Sequence, residues 1–206
     1  MLPVNARSTT ELPDEARARF LLHLRLQITR AFSEPVRDTA SGMPVEEQGM
    51  RLDAGDMEGP DADSDASVHG AILGAGCATC LGECCTAGGT HAFLKAASLV
   101  RVRAHLTELG EDVTPASIEE KYLSALPAQH YRGSCVFHAV GGCTLPRVLR
   151  SNLCNRYLCG GLTQLSRALA AQNGTEAIVA AADAVQLRRL ARVSNEGAEP
   201  LPLQAV

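Results

Sequence analysis

The sequence predicts a mainly α fold: a small helical domain with irregular cysteine-rich loops and at most a short β-hairpin. Three observations predict it. Apolar residues recur at helical spacing in several separated stretches. All eight cysteines fall into two groups, with Gly74, Gly76, Gly82, Gly88 and Gly89 around the first. Large aromatic side chains are scarce, with four Phe, three Tyr and no Trp in 206 residues. The core is therefore thin for a chain of this length, and crosslinking at the cysteines would supply much of the stability.

Residues 1–11 lack periodicity and read as a loose tail. Pro13, Asp14 and Glu15 then make a helix start, because proline suits the first helical position and acids suit the positive end of the helix dipole. Phe20, Leu21, Leu24 and Ile28 give that helix, over 12–32, a packing stripe; His23 lies within it as a surface or packing residue. Residues 33–70 read as an acidic linker. Ten acidic side chains there stand against Arg37 and Arg51, a composition that cannot offset its ordering entropy by burial. The alternation of Asp61, Asp63 and Asp65 lacks the glycine and terminal glutamate of a calcium loop, so a solvated acidic run accounts for it.

The cysteine domain spans 71–193. Its opening stretch, 70–76, is glycine-rich and runs straight into cysteines, which reads as a flexible lead-in rather than a nucleotide loop. Thr90 is placed as the N-cap of a helix running to Leu109 and stopped at Gly110, with Phe93, Ala97, Val100 and Ala104 inward and Lys95, Arg101 and Arg103 outward. Thr114 and Pro115 open a shorter helix to about Ala125, with Ile118 and Tyr122 inside; Pro127 ends it. Residues 133–140 have a β-like pattern, and Gly141-Gly142 supplies a turn, so a small hairpin brings Cys135 and Cys143 near each other. Residues 147–159 are helical in part. The stretches 162–171 and 175–193 read as two helices parted by Asn173-Gly174, the second carrying Arg188, Arg189 and Arg192 near its negative end. Residues 194–206 form a flexible tail.

The cysteines carry the chemistry. Cys77, Cys80, Cys84 and Cys85 lie within nine residues, and Cys135, Cys143, Cys154 and Cys159 within twenty-five. Thiolates are soft anionic ligands, and two cysteines separated by two residues can reach one metal from a tight turn. Isolated cysteines serve as small buried apolar residues, but two quartets with no stray thiol point to metal. Two arrangements satisfy this: two four-thiolate sites, or one shared site with some cysteines outside the coordination sphere or acting as redox thiols. Adjacent Cys84 and Cys85 serve two metals, or one metal in a strained turn. Zinc favours paired Cys-x-x-Cys hooks. Here one hook is followed by a crowded pair and then by gaps of seven, ten and four residues, a spacing that suits an iron–sulfur centre and that two zinc ions would also accept.

The formal charge of −4 gives no general attraction to nucleic acid or anionic membrane. The basic residues near the end of the chain lack interleaved aromatics, so no nucleic-acid partner is expected. The first residues show no signal-peptide pattern and no stretch is apolar enough to span a membrane. A cytoplasmic protein is expected, in which clustered thiols bind metal rather than pair as disulfides.

The order of the cysteines and their neighbours resembles the YkgJ-type cysteine-cluster family, described as a zinc- or iron-chelating domain. The resemblance rests on Cys77, Cys80, Cys84 and Cys85, on Gly133 to Phe137, on Gly142 to Leu145, and on Arg150, Cys154, Tyr157 and Cys159. It covers about two fifths of the chain, from Cys77 to Leu162. Three residues separate Cys80 from Cys84 where the family has two, and Ser151 stands where many members have proline. The resemblance implies metal binding by the eight cysteines. A similar domain in flagellin lysine methylases is associated with an iron–sulfur cluster and methyl transfer from S-adenosylmethionine, but no separate methyl-donor domain is evident here.

The leading expectation is thus a metal-binding protein holding zinc or an iron–sulfur centre through eight cysteines. An iron–sulfur-dependent enzyme related to protein-lysine methyltransferases is the first alternative. A thiol redox protein using Cys77 and Cys80 is the second, although the βαβ context of such motifs is missing. His91, His130 and His138 lie near the cysteines in sequence and could ligate metal or move protons, or be hydrated at helix starts and loops. Arg150 could pair with the thiolates or sit in an ordinary surface ion pair.

Overall fold

The computed structural model describes residues 1–33, 66–183 and 185–203. Two hydrophobic cores organise it. The first is built by α1 (Asp14–Ser33), α3 (Ala96–Glu108) and α4 (Pro115–Ser124), with residues 135–149 laid against them. Phe20, Leu24 and Ile28 of α1 are buried at helical spacing as expected, and Phe137 meets Phe20 edge-on at 4.9 Å. Thr114 caps α4 in a reciprocal capping box with Ser117, with Pro115 in the first turn. Ile118 and Tyr122 form its inner face, and the Tyr122 hydroxyl donates to the Leu149 carbonyl at 2.6 Å.

The second core lies under a four-stranded sheet ordered β1 (Leu2–Pro3), β6 (Glu176–Ala182), β7 (Leu187–Ser194), β8 (Gly197–Leu201), with β1 parallel to β6 and the rest antiparallel. Helices α2 (Ala66–Cys80) and α6 (Gly160–Gln172) cover one face of it. Two short antiparallel pairs complete the architecture: β2 (Thr9–Glu11) with β3 (Gln129–Tyr131), and β4 (His138–Ala139) with β5 (Gly142–Cys143). Helix α5 (Asn152–Arg156) is a short turn of helix before α6.

The fold is α/β, which corrects the mainly helical expectation. The largest error lies at 175–193, where the expected helix is the β6–β7 hairpin. Its alanines are good helix formers, yet Val179 and Ala181 are buried and Ile178 is exposed, the period-two pattern of a strand with one covered face. The partner strands decide between the two conformations. Asp183 builds the turn: its Oδ1 accepts from the Val185 and Gln186 amides, and its Oδ2 from Arg188 Nε at 2.5 Å. Beyond Ser194 the expected tail instead forms β8 through a tight turn closing on Gly197, whose φ is +128°.

Residues 1–11 are likewise not a loose tail, since Leu2, Val4 and Asn5 are buried and β1 and β2 pair with β6 and β3. Residues 70–76 are helical within α2, where Ile72, Leu73 and Ala75 join the second core. At Gly76 a β-carbon would lie 2.9 Å from a Leu162 methyl group, so glycine permits the close approach of α2 to α6. Helix α3 starts later than expected and has no side-chain cap; Ala92 and Phe93 before it hold φ of +50° and +55°. Its inward stripe is Ser98, Leu99, Val102 and Leu106, the last three each two positions beyond the expected Ala97, Val100 and Ala104. The body of the acidic stretch, including Asp61, Asp63 and Asp65, lies outside the described residues, while 66–70 belong to α2. Among the described residues no helix is long and apolar enough to cross a membrane.

Candidate metal centre

The first cysteine group begins on a helix, not in a turn. Cys77 and Cys80 occupy the C-terminal turn of α2. The chain then reverses through Leu81 and Gly82, both left-handed with φ of +57° and +65°. Such a conformation is costly for leucine and persists only where its surroundings impose it. Burial raises the Cys80 thiol, and the reversal directs the Glu83 and Gly82 amides at its Sγ, which offsets part of that rise. A 3-10 turn, Glu83–Gly88, follows and carries Cys84 and Cys85.

The N-terminal segment clamps this reversal. The backbone N–H of Asn5 donates to the Cys80 carbonyl at 2.9 Å, and its side-chain amide donates to the Leu81 carbonyl at 3.2 Å. Arg7 adds an ion pair to Glu83 at 2.9 Å. Sequence reasoning missed both residues because 1–11 carry no periodicity. A lone buried asparagine has no signal of its own in one sequence.

The second group is brought directly onto the first. The Cys135 amide donates to the Cys85 carbonyl at 3.1 Å and the Val136 amide to the Gly89 carbonyl at 3.0 Å. A β-carbon on Gly88 would fall 2.9 Å from Cys135 Cβ, so this contact requires glycine. The Phe137 amide reaches Cys135 Sγ, as the Gly82 amide reaches Cys80. The expected hairpin is present as β4 and β5; it pairs Cys143 with His138, with Cys135 in electrostatic reach of Cys143. Ser151 caps α5 by accepting from the Cys154 amide at 3.1 Å and also bonds the Cys154 thiol. Cys159 is the N-cap residue of α6.

All eight thiols are free, and a continuous set of electrostatic neighbours links them. The spatial grouping differs from the order in sequence. Cys77 and Cys80 neighbour Cys84 and Cys159, whereas Cys85 neighbours Cys135 and Cys143. Cys154 neighbours both Cys143 and Cys84. The two cores repeat this division. Cys80 belongs to the second core with Cys77 and Cys159 against it, and Cys135 to the first with Cys85 and Cys143 against it. Of the adjacent pair, Cys85 packs against the first core and Cys84 against neither, and their thiols share a hydrogen bond.

Burial followed by repulsion from neighbouring thiolates pushes Cys77 up to about 12. Burial alone does most of the same for Cys135, also up to about 12. Cys85 is raised chiefly by its bond to Cys84, and Cys84 is lowered by the reverse of that bond. Arg150 opposes the trend at Cys77 and Cys154, and its guanidinium is fixed by the Leu145 and Cys143 carbonyls at 2.8 and 3.3 Å. It is therefore a positioned cation beside the thiols. Eight sulfurs with one nearby cation are a donor set suited to thiophilic metals. Among the described residues no group of three His, Cys, Asp or Glu side chains is disposed to hold a metal ion as it stands.

The histidines divide. His91 Nδ1 accepts from the Phe93 amide at 3.0 Å and its ring faces His23. His130 on β3 is buried beside the Cys135 backbone, with Nδ1 unpartnered. His138 on β4 is almost wholly buried against Tyr131, at 4.6 Å between rings. Burial lowers the pKa of both His130 and His138. The clefts between α1 and α4 and beside β1 are lined by no cysteine. Comparison with protein-family models, curated proteins and solved structures gives no significant match.

Proposed function

We propose that this chain is a metal-binding protein that holds zinc or an iron–sulfur centre through Cys77, Cys80, Cys84, Cys85, Cys135, Cys143, Cys154 and Cys159. The observation that carries the reading is that Cys77, Cys80 and Cys159 pack against one core and Cys85, Cys135 and Cys143 against the other, while exposed Cys84 is an electrostatic neighbour of both sets and exposed Cys154 of Cys84 and Cys143. Cys80 and Cys135 are buried, four more are half-buried and Cys84 and Cys154 are exposed; thiols that repel one another as anions gain from a cation among them, most of all the two buried ones. Burial raises both Cys80 and Cys135, and the amides aimed at them offset part of that cost once a metal holds the deprotonated sulfurs. The resemblance to the YkgJ-type family, which rests on the order of these cysteines, belongs to this proposal, as does a reducing, cytoplasmic setting that keeps the thiols unpaired.

An iron–sulfur cluster at this place would supply electron transfer or substrate activation; zinc would supply a crosslink. Protein purified without oxygen distinguishes them. Brown protein containing iron and acid-labile sulfide supports the cluster, and colourless folded protein with stoichiometric zinc from iron-replete cells supports zinc. Purification free of both, with failure to take up either metal, would sink the proposal. The redox reading of Cys77 and Cys80 is weakened by the raised Cys77 thiol and by its position at the C-terminal end of a helix, whose dipole disfavours a thiolate.

A further inference from the structure

The ladder between β1 and β6 is short. Leu2 pairs with Ala181 and Pro3 with Ala182, and there it stops. From Glu176 to Val179, β6 pairs with β7 on one side and, among the described residues, with no strand on the other. No loop backbone takes that place either. An open strand edge offers a row of free N–H and C=O groups, and proteins usually guard it with charges, proline or a bulge. The far edge of the same sheet is guarded, since β8 carries Glu199 and Pro200. Ala177, Ile178 and Val179 on the open stretch carry neither charge nor proline.

This stretch borders a groove of about 230 Å³, in which Ile178 and Val179 stand with Gln164, Leu165 and Ala168 of α6, and which Met1 and Leu2 line at the β1 end. Val179 is buried on the covered face of the sheet, while Ile178 is 67% exposed on the other. We propose that the β6 edge from Glu176 to Val179 is a docking site for an extended peptide segment of a partner protein, which adds a strand in line with β1. Continuity with the β1–β6 ladder fixes the occupant as a strand: backbone pairing selects the extended conformation, and alternate side chains select the sequence. The residue opposite Val179 shares its face and meets Leu165 and Ala168, so an aliphatic side chain fits there. The residue opposite Ile178 lies beside it on the outer face. A second copy joined edge to edge would bring both α6 helices over the same groove. The inference is independent of the thiol centre.

Selection of the full chain against a displayed library of random octapeptides tests this. Recovered sequences should be apolar at alternate positions. A synthetic copy of the commonest should slow exchange of those amides between Glu176 and Val179 that point away from β7, by about tenfold or more. Ala168 is exposed beside the groove, so Ala168→Arg should leave thermal unfolding unchanged and weaken that peptide by about tenfold to a hundredfold. Recovery of no such sequence, or binding that Ala168→Arg leaves intact, would overturn the proposal. The same holds if these amides already exchange slowly in the free monomer, because the chain would then cover its own edge. A concentration-dependent dimer that Ala168→Arg dissociates would make a second copy the occupant and overturn it likewise.

Discussion

Gly88 shows how closely single residues constrain the centre. It is buried, and its missing side chain admits Cys135, so that the two cysteine groups meet backbone to backbone. Gly88→Ala places a methyl group where Cys135 Cβ and Sγ already crowd, and overpacking of this kind costs about 1–3 kcal/mol. Urea denaturation should show that loss, together with lower metal content in the purified protein. An unchanged midpoint would mean that Cys135 can withdraw freely and that the contact is not fixed. Asn5 acts from the opposite side. Asn5→Ala removes the donor to the Leu81 carbonyl and the acceptor of the Arg7 amide. A destabilisation of about 1–3 kcal/mol is expected, because a backbone group near the reversal is left without its partner.

At the scale of elements, the β6–β7 hairpin makes a prediction about pH. Bonds from Arg188 and from the Val185 and Gln186 amides depress the Asp183 carboxyl to about 2, from an ordinary 3.8. A depressed carboxylate stabilises the fold at pH above its unfolded value, and the contribution is lost as pH falls through the folded value. The hairpin should therefore loosen between about pH 4 and pH 2, with a carboxyl titration midpoint for Asp183 near 2 by NMR. Asp183→Asn should abolish that part of the acid sensitivity while leaving the rest of the titration in place. A midpoint near the ordinary value would show the turn to be open in solution. The hairpin also shows why composition misleads. A run of alanines around Ile178 and Val179 satisfies a helix as well as a strand, and pairing with β1 and β7 settles the matter.

For the whole molecule, six of the thiols pack within or against the two cores, three on each; of the two in neither, Cys84 is an electrostatic neighbour of both sets and Cys154 of Cys84 and Cys143. Metal bound by both sets would join the cores covalently. Loaded protein should then unfold in one transition, and chelation should separate or broaden the transitions as the coupling is lost. Calorimetry with and without chelator checks this. Serine at Cys159 and at Cys135, which belong to different sets, should each lower metal content; a loss confined to one of them would assign the metal to one core.

The sequence alone determined what local chemistry can dictate. The Thr114–Pro115–Ser117 start of α4 is complete within four residues, and the Phe20, Leu24 and Ile28 stripe needs only helical spacing. The eight cysteines identify themselves as a set because no other stands apart from them. Only the tertiary structure decided how the set divides. Cys159 joins Cys77 and Cys80, and Cys85 joins Cys135 and Cys143, because α6 packs on α2 while residues 135–149 pack on α1, α3 and α4. It also decided the strands β6, β7 and β8 and the order of the first residues. The three strands pair with their neighbours in sequence, but the helices that cover them come from elsewhere in the chain; the first residues depend on distant partners, Ala181 for Leu2 and Cys80 for Asn5, and nothing in the local pattern of Leu2 or Asn5 names that partner.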